Sequence, residues 1–245
     1  MPHPHPFRTA ALALCVLATF CTEAGAAAPQ RGEYILVSGG PALRKWEDMR
    51  APGTQHDRWW GNFIRPARMR IQEIQAKEPD AMITWLVYRK AFVSRSSEDN
   101  RALTALVESV RDKYHVKLLW FDTGSQVINY LNHGQARSRL PICNFEYFGH
   151  SNKYCFMFDY SSDIYAVSTA WLHQADLKRI RSSAFAPNAY CQSWGCHTAE
   201  AMSDAWKKAT GVWLVGAYGK TDYTDLHLRD NRVGLSSGSH WKRKG

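Results

Sequence analysis

The sequence predicts an α/β fold, a three-layer sandwich whose mostly parallel sheet has about six strands. Short apolar runs alternate along the chain with stretches of helical periodicity, which is typical of strands joined by crossover helices. The run at 82–88 is almost wholly apolar, as expected for a strand covered on both faces. Gly134 and Gly211 stand where two helical stretches stop, and glycine is common at helix ends.

Each predicted element rests on its own local pattern. Strands are expected at 34–38, 82–88, 116–121, 142–148, 189–194 and 212–217, and helices at 62–77, 126–132, 176–183 and 198–210. A further helix is expected to begin at Ser96, an N-cap with Asp99 three residues later, because apolar residues then repeat at helical spacing as far as Val110. The chain between the strands at 142–148 and 189–194 is long enough for a right-handed crossover, so we expect these two strands to be parallel neighbours.

The ends of the chain differ in composition from its middle. Residues 1–26 combine an early Arg8, an apolar run at 9–20 and a small-residue cleavage pattern at 24–26, which together predict a secretory signal peptide. We therefore expect an exported protein, periplasmic or extracellular. One α/β domain is predicted at 27–223, followed by a polar, basic C-terminal extension at 224–245.

The formal net charge of +9 is spread over helices and loops. In an exported protein this charge favours contact with anionic envelope surfaces and gives no reason to expect a nucleic-acid partner. No later segment is apolar for long enough to predict a transmembrane helix. The remaining expected partner is a peptide or protein substrate.

Four cysteines follow the predicted signal peptide: Cys143, Cys155, Cys191 and Cys196. An even number in an oxidising compartment is ordinarily read as two disulfides. If Cys196 works as a thiolate, at most one bridge forms among the other three, so the two interpretations compete. The histidines and cysteines show neither Cys-x-x-Cys nor His-x-x-x-His spacing, and we expect no metal and no cofactor.

Two short motifs end the strands at 142–148 and 189–194. The first is Gly149-His150-Ser151 and the second is Gly195-Cys196. Active sites of parallel sheets lie at the carboxyl ends of their strands, so we expect His150 and Cys196 to form a catalytic dyad. A helix expected from residue 198 would direct its positive end at Cys196 and favour the thiolate. His150 would polarise the substrate or protonate the leaving amine.

These two motifs resemble those of the clan CD cysteine peptidases, which include caspases, legumain, gingipain, clostripain and the CHAT domains. In that family a strand ends in His-Gly, and the next parallel strand ends in a small residue followed by cysteine. The resemblance implies the caspase-haemoglobinase fold, peptide-bond hydrolysis, and an oxyanion site or tight turn formed by Gly149, Ser151 and Gly195. Ser151 and Ala199 stand where the family has glycine.

Several residues before the first long helix are candidates for substrate binding. Arg44, Lys45 and Arg50 follow the first strand, on the expected rim of the site, and would favour an acidic residue at the cleavage position. His56 and Asp57 belong to a dense polar and aromatic stretch that would line a substrate groove.

Two other functions stay open at this stage. Residues 149–153 also resemble a nucleophile elbow, which would make the protein an α/β serine hydrolase with Ser151 as nucleophile and His227 or His240 as base. The ten tryptophans and the tyrosine-rich loops would equally suit a catalytically inactive envelope binding module.

Overall fold

The computed structural model describes Met1, residues 32–160 and residues 168–242. The predicted signal peptide and its cleavage site lie outside the described residues, apart from Met1. No helix in the described ranges is long and apolar enough to cross a bilayer.

The chain alternates strands and helices, as the sequence predicts. The strands are β1 (Glu33–Ser38), β2 (Met82–Tyr88), β3 (Lys117–Phe121), β4 (Ile142–Phe148), β5 (His150–Ser151), β6 (Cys155–Met157), β7 (Trp171–His173), β8 (Phe185–Ser193), β9 (Leu214–Tyr218), β10 (Thr221–Asp222), β11 (Gly234–Leu235) and β12 (His240–Lys242). The helices are α1 (Arg44–Asp48), α2 (Ile64–Lys77), α3 (Arg89–Asp99), α4 (Leu103–Tyr114), α5 (Gly124–His133) and α6 (Met202–Thr210). Short 3₁₀ segments occur at Gln174–Arg179, Ser182–Ala184 and Leu226–Arg229.

The main sheet has seven strands in the order β12-β9-β8-β4-β1-β2-β3. Its strand pairs are parallel except for β12 against β9, so the predicted α/β fold with a mostly parallel sheet is confirmed. The strand beyond the expected six is β12, which lies in the stretch described above as a C-terminal extension. The expected pairing of 142–148 with 189–194 is also confirmed, because β4 and β8 are parallel neighbours.

Successive residues of the central strands contribute to two different apolar clusters. Ile35 of β1 belongs to the cluster that contains Leu131 of α5 and Trp206 of α6. Its neighbour Leu36 belongs to the cluster that contains Ile71 of α2, together with residues of α3 and α4. Side chains of a strand alternate between the faces of its sheet, so helices cover both faces. Each fully buried leucine or isoleucine contributes about 1.5–3 kcal/mol to folding.

The helix expected from Ser96 begins elsewhere. Ser96 lies inside α3, a helix that directly follows β2 and that the sequence pattern did not reveal. Its hydroxyl donates to the carbonyl of Phe92 at 2.7 Å. The same hydroxyl accepts the backbone N–H of Leu103, the first residue of α4, at 3.1 Å. Ser96 therefore supports the start of α4 from the last turn of the preceding helix. Asp99 forms an ion pair with Arg95 of the same helix.

Two later helices are shorter than predicted. The stretch at 176–183 forms 3₁₀ segments, and α6 begins at Met202 instead of at residue 198. Residues 196–201 form turns, in which the backbone N–H groups of His197 and Ala199 donate to the carbonyls of Gly219 and Ala217 at 2.7 and 3.1 Å. The chain thus continues alongside β9 before it coils.

Candidate active site

A cavity of about 500 Å³ lies at the carboxyl ends of β4 and β8. It contains both members of the predicted dyad, together with other residues singled out in the sequence. These lining residues are Arg50, His56, Asp57, Gly149, His150, Ser151 and Cys196. The aromatic rings of Phe63, Tyr160 and Tyr223 complete part of its wall. The topology of the sheet thus brings the two motifs to one site.

The imidazole of His150 is fixed on three sides. Its Nε2 lies 2.5 Å from Oδ2 of Asp57. The rings of Phe63 and Tyr160 approach it edge to face, at centroid distances of 4.9 and 4.6 Å. A carboxylate only accepts hydrogen bonds, so Nε2 donates to Asp57. The ring is therefore held by one carboxylate and two aromatic rings.

Asp57 is buried and ionised. Burial alone would raise the pKa of its carboxyl group, but the charge of His150 and the hydrogen bonds from His150 and His56 lower it well below its usual value. The backbone N–H of Ala42 donates to Oδ2 at 2.9 Å, and the backbone N–H of Asp57 donates to Glu47 at 2.8 Å. The carboxylate that orients His150 is thus itself held in place.

Cys196 lies in the turn that follows β8 and is half-buried. Its Sγ is 3.3 Å from Oγ1 of Thr221, and its carbonyl oxygen accepts the hydroxyl of Ser151 at 2.7 Å. The expectation that a helix begins directly after Cys196 is wrong, since α6 starts at Met202. The positive end of a helix dipole acts only within about one turn, so the N-terminus of α6 gives no support for the predicted effect on Cys196.

The two motifs are packed directly against each other. A Cβ atom at Gly195 would lie 2.1 Å from the hydroxyl oxygen of Ser151, so only glycine fits there. A Cβ atom at Gly149 would lie 2.4 Å from the hydroxyl oxygen of Tyr147. The hydroxyl of Tyr223 donates to the carbonyl of Trp194, directly before Gly195, at 2.9 Å.

The environments of the three other described cysteines suit a role in packing. Cys143, Cys155 and Cys191 are free thiols, so the structure contains no disulfide among them. Burial raises the pKa of Cys143 to about 11 and that of Cys191 to about 12. Cys191 faces the apolar cluster that contains Trp206. Such thiols are protonated at neutral pH and are poor nucleophiles.

Of the three basic residues expected at the rim, only Arg50 lines the cavity. Arg44 instead forms an ion pair with Asp99, at 2.7 Å, and Lys45 lies over the ring of Trp46. Both belong to α1, which packs against α3. A preference for acidic substrates would therefore depend on Arg50.

The geometry gives Ser151 a supporting position. It is buried, and its hydroxyl is directed at the carbonyl of Cys196. Neither histidine considered as its base lines the cavity: His227 lies in the 3₁₀ segment Leu226–Arg229, and His240 stacks on Tyr218 in the strand pair β9–β12.

The pairing of Asp57 with His150 is not predicted by the sequence. These residues are 93 positions apart, and only the fold brings them together. His56, Asp57 and His150 each offer a possible metal-ligand atom, and these atoms lie within 4.8 Å of one another. The signal in the sequence is the adjacent His56-Asp57 pair beside two tryptophans, which predicts part of a substrate groove and not a partner of His150.

Comparisons of this chain with protein-family models, with curated proteins and with solved structures found no match.

Proposed function

We propose that the protein is a cysteine-type hydrolase that cleaves peptide bonds, built on a three-layer sandwich of the caspase-haemoglobinase kind. One observation carries the proposal: His150 and Cys196 follow neighbouring parallel strands and line the same cavity. The buried Asp57 that holds His150 adds to it, because a histidine oriented by a carboxylate is the usual partner of a nucleophilic side chain. The predicted signal peptide adds export to the proposal.

In the proposed reaction, the proton of the Cys196 thiol passes to Nδ1 of His150 and the sulfur attacks the carbonyl carbon of the substrate. The imidazolium then gives this proton to the leaving amine as the carbon–nitrogen bond breaks, which leaves a thioester. Water, deprotonated by the same imidazole, hydrolyses the thioester and restores the thiol. Asp57 stabilises the imidazolium without taking its proton.

The environment of Cys196 supports this assignment by contrast with the other thiols. Burial raises the pKa of Cys191 and of Cys143, so these thiols keep their protons, whereas Cys196 lines the cavity that also contains His150. The backbone N–H of Cys196 is our candidate donor to the oxyanion, because it belongs to the residue that would form the tetrahedral intermediate.

The test compares Cys196→Ala with Cys191→Ala on a library of fluorogenic peptides. We expect Cys196→Ala to remove hydrolysis while the unfolding midpoint stays unchanged. Cys191→Ala should keep its activity per folded molecule but lose about 1–2 kcal/mol of stability, since it deletes a buried sulfur. Hydrolysis that survives in Cys196→Ala would refute the proposal.

The alternative, a catalytically inactive binding module, is tested by the reactivity of Cys196 in the unchanged protein. Iodoacetamide should alkylate Cys196 faster than the other thiols if it is a nucleophile. Slow alkylation together with no cleavage of any peptide would favour the binding module.

A further inference from the structure

We propose that the cavity also binds one divalent ion of the zinc type, held by His56, Asp57 and His150. Metal binding goes beyond the proposed function. Its consequence, that the bound ion stops hydrolysis, rests on that function.

The ligand set is the first argument. Two imidazoles and one carboxylate, with an open position toward the cavity, form the donor set of many zinc sites. In the structure, Nδ1 of His56 lies 3.4 Å from Oδ1 of Asp57, and Nε2 of His150 lies 2.5 Å from Oδ2. Ligands about 2 Å from a tetrahedral ion are about 3.3 Å apart. One ligand atom from each of the three residues lies within 4.8 Å of the other two, so a small adjustment of the side chains would bring them to this spacing.

The surrounding charges are the second argument. Glu47 and Asp57 are both buried carboxylates. Nε of Arg50 lies 3.2 Å from Glu47, and Arg95 donates to the backbone carbonyl of Asp57 while it pairs with Asp99. Glu47 accepts the backbone N–H of the proposed ligand Asp57, so a second buried negative charge lies beside the site and favours a cation.

Arg50 acts as a built-in competitor of the ion. Its Nη1 lies 2.6 Å from Nε2 of His56, so it uses one nitrogen of a proposed ligand and adds a positive charge. About a third of its side chain is exposed. The guanidinium can therefore move into solvent when an ion enters, and removal of Arg50 should make the ion bind more tightly.

Binding of the ion would disable the dyad. An ion on Nε2 replaces Asp57 as the partner of His150, and an imidazole coordinated to a cation gains a proton only with difficulty. His150 can then no longer accept the proton of the Cys196 thiol. The three proposed ligand residues line the same cavity as this thiol.

The experiment is a competition for Zn²⁺ between the purified protein and a chromophoric chelator. We expect one ion per chain, with binding weakened at least tenfold in His56→Ala and in Asp57→Asn. Arg50→Gln should strengthen it several-fold. Cys196→Ser should bind within threefold of the unchanged protein, and so should His227→Ala, a matched control for a histidine outside the cavity.

A second set of measurements distinguishes a loss of metal binding from a loss of the fold. Circular dichroism of each variant with a chelator reports whether its fold is intact, and the absorption spectrum with Co²⁺ reports coordination by nitrogen and oxygen ligands. Binding that survives in His56→Ala but is lost in Cys196→Ser would overturn the proposal, because the ion would then sit on the thiol. Absence of saturable binding would also overturn it.

Chelator competition needs no catalytic activity, so the two proposals can fail separately. The expected Zn²⁺ binding in a protein that cleaves no peptide would support the metal site and refute the hydrolase. Peptide cleavage that micromolar Zn²⁺ leaves unchanged would refute the inhibition and leave the hydrolase standing.

Discussion

Two buried carboxylates lie toward opposite ends of the parallel strands, and they have different partners. Glu33, at the start of β1, is 2.5 Å from Nη1 of Arg137 and accepts the hydroxyls of Tyr130 and Thr84, each at 2.6 Å. Asp57, beside the carboxyl ends of β4 and β8, is paired with His150 and borders the cavity.

The difference lies in what each partner can do with a proton. Arginine keeps its proton at any physiological pH, so the Glu33–Arg137 pair has a fixed charge and serves only the fold. Histidine gains and loses a proton near neutral pH, so Asp57 supports a partner whose charge would change in the proposed reaction. Burial of a carboxylate alone therefore does not identify a site; the identity of its partner does.

The largest expected effect comes from Asp57→Asn. An amide neither stabilises the imidazolium nor fixes the proton on Nε2, so we expect kcat/KM for peptide hydrolysis to fall by a factor on the order of 10²–10⁴. The pH dependence of kcat/KM should change as well, which a purely structural role would not produce. Unchanged activity would remove Asp57 from the reaction.

Glu33→Gln should damage the fold and leave the chemistry intact. The substitution leaves the buried guanidinium of Arg137 without a counter-charge, at a cost of about 3–5 kcal/mol in the free energy of unfolding. Urea titration measures this loss. We expect kcat/KM per folded molecule to be unchanged. A selective loss of activity would show that the Glu33 and Asp57 sites are coupled.

Lowering the pH should expose the contribution of Asp57 to stability. Its pKa is lower in the folded chain than in the unfolded chain, so its ionised form stabilises the fold above the unfolded value of about 4. This contribution is lost as the pH falls below about 4 toward the folded pKa. The stability difference between the unchanged protein and Asp57→Asn, measured by urea unfolding, should shrink as the pH falls below about 4.

Ser151→Ala should have the smallest effect. It removes one hydrogen bond to the carbonyl of Cys196, at a cost of about 0.5–1.5 kcal/mol in stability. Most peptide hydrolysis should remain in a fluorogenic assay. Complete loss of hydrolysis, with Cys196→Ala still active, would instead identify Ser151 as the nucleophile.

The sequence predicted the main elements because local patterns determine them. Met82–Tyr88 and Ile142–Phe148 were predicted with their observed bounds, since an apolar run between polar turns gives a clear signal. α3 was missed because its buried residues are few: Ala91, Phe92 and Arg95. β12 was missed because three polar and aromatic residues become a strand only when β9 is beside them.

The candidate site was predictable only in part for the same reason. Glycine after each of two strands marked His150 and Cys196, but nothing near Asp57 in the sequence indicates which histidine it contacts. The start of α6 depends on the hydrogen bonds of His197 and Ala199 to the chain of β9, which are tertiary contacts. Long-range partners of this kind are not encoded in any short window.

The hydrogen bonds of His197 and Ala199 also bear on how readily this part of the chain opens to solvent. The turn that carries Cys196 is bonded to Ala217 and Gly219, and β12 holds the other side of this segment. Amide hydrogens at His197 and Ala199 can exchange with solvent only when the turn separates from β9. Deuterium uptake there should therefore be as slow as in the neighbouring strands and far slower than in an ordinary surface loop. The thiol is carried by one of the stiffer parts of the chain.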